Sequence, residues 1–232
     1  MPFWDHVSEL RRRVFVVLGA VALGAGAGYV LFPYFFDVVV GVIGEELYVT
    51  AITEGFLTRL RISVLIGVFV SLPVALFEVV LFVFPALVRR ERMVLLLALA
   101  ATFALFVLGV AYAYRSVLPI SIAFLKSREF FPEDLNRIIS YSQFVTFFFQ
   151  FLIGFGLCFQ FPVVLLVLMK LDVFTVTALR RFFKYFAALA FALAAIITPP
   201  DVVSQILLAV PLLLLYGLCL VIGAIFFRSE EG

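Results

Sequence analysis

Long apolar runs alternate with short polar joints along this chain. The runs fall at about 14–36, 62–84, 93–114, 144–169, 182–198 and 202–226. A helix needs about 20 apolar residues to cross the hydrocarbon of a bilayer, and each run meets or approaches that length. Helices satisfy their own backbone hydrogen bonds in lipid. The pattern therefore predicts an all-α polytopic membrane protein with six transmembrane helices, residues 1–232 forming one integral membrane domain. The last two runs are unusual, because Phe182 to Phe226 is broken only by Thr198-Pro199-Pro200-Asp201. Two consecutive prolines remove two amide donors and force a turn. A short helix pair is expected over 182–226, with its outer turn at 199–201, and a short pair can thin the bilayer locally.

The joints set the orientation. The N-terminus, loops 85–92 and 170–181 and the C-terminal tail, with the adjoining Lys184, hold eleven lysines and arginines, against six in loops 37–61, 115–143 and 199–201. The excess marks the cytoplasmic side, so both termini are expected inside. Residues 1–13 read as a cytoplasmic amphipathic helix, with Asp5 or Ser8 a possible cap. Loops 37–61 and 115–143 read as outer caps. Within them, 52–61 suggests a short helix capped by Thr53, and Pro132-Glu133-Asp134 a helix start before Leu135, Ile138 and Ile139. Gly24 and Gly28 have the small-xxx-small spacing of closely packed membrane helices.

Composition sharpens this picture. Hydrophobic residues make up 66% of the chain and charged residues 14%, against about 45–50% and 25% in soluble proteins. A net charge of +2 gives no reason to expect nucleic acid. Cys158 and Cys219 lie in apolar runs and make no disulfide framework. The first run is too long for a signal-peptide core and lacks a clear cleavage site, so it is expected to be retained. The single His6 lacks the companions a metal site needs. No nucleophile constellation or phosphate-cradling glycine loop is present. The chain reads as a non-enzyme with no cofactor.

The polar exceptions carry the candidate chemistry. In HVSELRRR, residues 6–13, Glu9 and Arg13 form an i,i+4 pair worth a few tenths of a kcal/mol when exposed. Glu9, and Glu91 within Arg89-Arg90-Glu91-Arg92, fall on the predicted cytoplasmic face. Two such acids can chelate an arginine-rich peptide through bidentate bonds; charge balance and interfacial anchoring are the plainer alternative. Glu78 and Gln160 are polar groups at membrane depth, where each must be neutral, paired or facing a polar cavity. Pro73, Pro85 and Pro162 lie near them. Asp201 suits a helix cap in the outer turn, and Gln205 lies one turn further in. These residues leave three readings open: a protein-translocase receptor, a proton-coupled small-molecule transporter using Glu78, and a membrane assembly scaffold.

HVSELRRR at 6–13, FPALVRRER at 84–92, FGLCFQFPVVL at 155–165 and ITPPDVVSQILLAVPLLLLY at 197–216 together resemble the TatC family. That family supplies the multispanning receptor of the twin-arginine translocase, and the likeness spans nearly the whole chain. It implies six helices in a concave, glove-like arrangement in a prokaryotic cytoplasmic (inner) membrane. It implies binding of the paired arginines in signal peptides of folded cargo, with Glu9, Glu91 and Arg11 in the recognition patch. It further implies TatA-type and TatB-type single-span partners, self-association, and drive from the proton-motive force without an ATP site. Glu78, Gln160, Asp201 and Gln205 become cavity or partner contacts. The chain departs from the family pattern where Gln160 stands for a usual glutamate and Glu78 for a frequent glutamine, which leaves open which of the two meets a partner's polar residue.

Overall fold

The computed structural model of the chain describes residues 3–44, 47–49, 51–83, 92–127, 138–170, 173–198 and 201–226. In chain order the elements are α1 (Phe3–Val30), α2 (Phe32–Ile43), β1 (Leu47–Tyr48), α3 (Glu54–Val83), α4 (Arg92–Tyr112), α5 (Leu118–Leu125), β2 (Ile139–Ser140), α6 (Tyr141–Cys158), α7 (Phe161–Lys170), α8 (Val176–Ile197) and α9 (Val202–Phe226). The residues group into two compact units. One comprises residues 1–104 and 134–150, the other 105–133 and 151–232.

In the first unit, α1 and α3 form an antiparallel pair in close contact. Their approach rests on glycine. A Cβ on Gly67 would lie 2.6 Å from the backbone of Val21 and Ala25, and one on Gly24 would lie 3.0 Å from Gly67. Lipid tails are as apolar as leucine, so helices associate here through close backbone packing. The outward faces carry Leu18, Leu23, Val30, Val64 and Val70, all exposed to the surroundings. The short α2 follows a break at Leu31 and ends at Gly44, whose φ of 64° suits a residue without a Cβ. Leu47 and Tyr48 pair in parallel with Ile139 and Ser140. Glu54 ties this corner together, accepting from the Ala51 amide at 3.1 Å and the Ser140 hydroxyl at 3.3 Å.

In the second unit, a π-turn at Ala113–Val117 joins α4 to α5. A turn at Phe159-Gln160 separates α6 from α7. An aromatic stack links α7, α8 and α9: Phe161 lies 4.5 Å from Phe186, and Phe186 lies 4.3 Å from Tyr216. The Tyr216 hydroxyl donates to the Leu179 carbonyl at 2.7 Å. Pro211 leaves the Leu207 carbonyl without its usual i+4 amide. The Tyr112 hydroxyl takes that place, donating at 3.0 Å.

Several expectations change. Among the described residues, five stretches are helical, long and apolar enough to cross a membrane: Val7–Val30, Glu54–Val79, Leu96–Leu125, Tyr141–Lys170 and Val202–Ile225. The remaining candidate, α8, carries Arg180, Arg181 and Lys184 in its first turns, and its uncharged part is short of the length that hydrocarbon demands. The first run bends at Leu31, so residues 32–36 belong to α2. Residues 3–13 are continuous with the first span, which places Asp5 and Ser8 inside α1 and not at its start. Likewise 54–61 is the opening of α3 and not a separate short helix. The segment from Arg115 to Leu125 is helical and extends the third span. Ile139 pairs as a strand, not a helix, because the Leu47 backbone is there to meet it. Residues 132–135 lie outside the described residues.

Candidate functional site

The antiparallel run of α1 against α3 brings residues far apart in sequence to one end of the pair. Arg13 projects from α1 toward the last turns of α3. Its Nη1 donates to Glu78 Oε2 at 2.8 Å and to the Glu78 carbonyl at 3.4 Å. Its Nη2 donates to Glu9 Oε1 at 2.5 Å and to the Leu81 carbonyl at 3.3 Å. Leu81 lies in the last turn of α3, where carbonyls have no intrahelical amide, so its carbonyl needs a donor from elsewhere. The guanidinium, with five donors in a planar fork, supplies it while gripping two carboxylates.

Shielding grades across this cluster. Arg13 and Glu78 keep 18% and 17% of their side-chain exposure, and Glu9 keeps 30%. Beside the cluster, Leu10, Val14, Val17, Leu18, Ala75, Val79 and Phe82 complete an apolar groove of about 240 Å³. Arg11, on the neighbouring turn of α1, is exposed. Glu91 and Pro85 lie outside the described residues.

Glu78 is therefore an ion-paired carboxylate near the end of a span. Its partner is Arg13 of the neighbouring helix, which it shares with Glu9. The sequence contained the relevant residues, and the local Glu9–Arg13 pair was visible as an i,i+4 spacing. The link to Glu78 was not, because it spans 65 positions.

The other candidate residues sit in the second unit. Gln160 is buried in the turn between α6 and α7, and its Nε2 donates to the Gly156 carbonyl at 3.4 Å. Pro162 opens α7, and its carbonyl lies 3.7 Å from Cys219 Sγ. Asp201 is buried and caps α9: Oδ1 accepts from the Ser204 amide at 2.6 Å and Oδ2 from the Ser204 hydroxyl. Gln205 reaches across to the Phe191 carbonyl of α8 at 2.9 Å. Pro199 and Pro200 lie outside the described residues, and Pro73 sits within the unbroken α3. Pro211, paired in function with Tyr112, was missed by sequence reasoning; a proline inside a span, with its freed carbonyl one turn earlier, was the available signal.

Fold and site define a class: a polytopic, all-α membrane protein with a carboxylate–guanidinium cluster at one end of a tightly packed helix pair. Comparison with known families narrows the class. Residues 5–211 match the family described as Sec-independent protein translocase protein (TatC). The TatC protein of Aquifex aeolicus (strain VF5) is 33% identical over 236 aligned positions, covering 100% of this chain and 98% of the relative. That of Carboxydothermus hydrogenoformans is also 33% identical, covering 100% and 96%. A crystal structure of the twin-arginine translocase receptor TatC in the detergent DDM superposes with a TM-score of 0.83 at 34% identity, over 94% of this chain and 99% of the other. The chain belongs to the TatC family.

Proposed function

We infer that this chain is the twin-arginine signal-peptide receptor and core subunit of a translocase that exports folded proteins. It is a receptor and not an enzyme. Family membership supports the role, and one observation supports the mechanism: Glu9, the most exposed member of the cluster, already accepts a hydrogen bond from a guanidinium, that of Arg13. A signal peptide offers the same chemical group twice. Its arginines dock at Glu9 and Glu91 with Arg11 on the flank, and its apolar segment follows the groove beside Val14 and Val79. The protein lies in a prokaryotic cytoplasmic membrane with six spans and both termini inside, α8 crossing with help from its neighbours. TatA-type and TatB-type single-span proteins gather near Gln160, Asp201 and Gln205, and copies of the receptor self-associate.

Site-specific photocrosslinking tests this. Probes replace Glu9 or Glu91 in membrane vesicles, and a twin-arginine precursor is compared with its lysine-pair version. Crosslinks that disappear with the lysine pair support guanidinium reading at these positions. Equal crosslinking of both precursors sinks the assignment of Glu9 and Glu91.

A further inference from the structure

We propose that Arg59 and the apolar groove beside it form a binding site for one anionic phospholipid, with the phosphate on the guanidinium and an acyl chain along the groove.

Arg59 stands at the end of the α1–α3 pair opposite Arg13. It bonds to Tyr29, and Arg13 and Tyr29 are sixteen positions apart on the unbroken α1, about 24 Å of helix. That approaches the roughly 30 Å of bilayer hydrocarbon, so the long side chains of Arg13 and Arg59 reach opposite headgroup levels.

Their partners differ. Arg13 is held by two carboxylates. Among the described residues Arg59 forms no ion pair. Its Nη2 donates to the Tyr29 carbonyl at 3.0 Å. Its charge lies 4.2 Å from the centre of the Tyr29 ring and 5.3 Å from that of Phe32. Its Nε is buried without a hydrogen-bond partner. One carbonyl and two rings leave most of the five guanidinium donors unused, and no anion offsets the charge. Glu54, early on the same helix, is occupied elsewhere. It accepts from the Ala51 amide, the Ser140 hydroxyl and the Ser142 amide.

The groove that Arg59 lines holds about 270 Å³, and its other walls are Phe32, Phe36, Leu47, Val49, Gly55 and Tyr141. Phe36 meets Tyr141 edge-on at 5.5 Å and stacks with Phe32 at 6.1 Å. Val49, Ile52 and Phe56 are largely exposed in the same stretch of chain. An uncompensated cation against an apolar wall, at headgroup level, is the complement of a phospholipid. The planar fork matches two phosphate oxygens, and the wall takes the chain. Basic pockets between membrane helices recognise anionic headgroups in this way.

The test is native mass spectrometry of the purified full chain, released from detergent that holds equal amounts of phosphatidylglycerol and phosphatidylcholine. The wild type retains one phosphatidylglycerol in preference to phosphatidylcholine. It does not retain glycerophosphoglycerol, the same headgroup without chains. Arg59→Gln lowers the retained fraction about tenfold, the scale of a lost hydrogen bond to a charged group. Arg59→Lys recovers it only in part, because an ammonium lacks the fork. Arg61→Gln, at an exposed arginine of the same helix, retains the lipid as the wild type does. Gly55→Leu keeps the charge and adds bulk at the groove wall. Nothing lies within 4 Å of its added Cβ, so the fold accepts it, and retention falls as in Arg59→Gln. Circular dichroism melting checks the fold of each variant; if Arg59→Gln does not fold, Arg59→Lys and Gly55→Leu carry the test. A wild type that retains no lipid, or equal retention by wild type and Arg59→Gln, overturns the site. So does an equal drop in Arg59→Gln and Arg61→Gln, which marks diffuse charge attraction. Retention of the chain-free headgroup at the level of the lipid makes this a free-anion site, and equal retention of phosphatidylcholine removes the anionic requirement; either result overturns the proposal.

Discussion

Gly67→Ala is the most direct probe of how the site is built. The added Cβ would stand 2.6 Å from the Ala25 nitrogen and the Val21 carbonyl oxygen, where ordinary contacts lie at 3.4–4 Å. Both obstacles are backbone, so no side chain can rotate away. The helices must part by about 1 Å there, a gap that forfeits a quarter to a half of the dispersion attraction of each facing atom pair. Overpacking of this kind costs about 1–3 kcal/mol, which lowers the melting temperature by roughly 2–12 °C in a chain of this size. Circular dichroism of the protein in detergent measures it. Gly26→Ala is the matched control on α1: nothing lies within 4 Å of its added Cβ, and alanine gains about 1 kcal/mol in helix propensity. Its melting temperature holds or rises. The packing argument is refuted if Gly67→Ala melts with the wild type, or if both substitutions lower stability alike.

Tyr112→Phe removes the donor that serves the Leu207 carbonyl and destabilises the protein by about 1–2 kcal/mol; adding Pro211→Ala restores a helical amide and recovers part of the loss. Both are readable by heating with a thiol-reactive dye that reports exposure of buried Cys219. Asp201→Ala uncaps α9 and costs about 1–2 kcal/mol in the same dye assay, and Asp201→Asn costs less because an amide oxygen still accepts. An Asp201→Ala protein that melts unchanged would show that the Ser204 amide finds another acceptor.

The existence of the spans was legible in the sequence because hydrocarbon imposes a length and an apolar composition on anything that crosses it. Their ends were less so. Residues 54–61 and 115–125 are helical beyond the apolar runs, since a helix continues into the interface wherever its backbone stays bonded, whatever the side chains prefer. Within the short pair expected at 182–226, α8 is the helix whose early cations separate it from the five strongly apolar spans among the described residues.

For the site, the sequence determined the chemical inventory and the local pairings: Glu9 four residues before Arg13, and Asp201 placed to cap the amides that follow it. These depend on helix geometry, which spacing alone specifies. Only the tertiary structure decided that Arg13 grips Glu78 and Leu81, and that Tyr112 completes Leu207. Those contacts join residues 65, 68 and 95 positions apart. They exist because glycines let α1 and α3 approach to backbone contact, and because Pro211 leaves a carbonyl that a neighbouring helix must serve. Spacing along one helix is written in the chain; which helix stands beside it follows from packing.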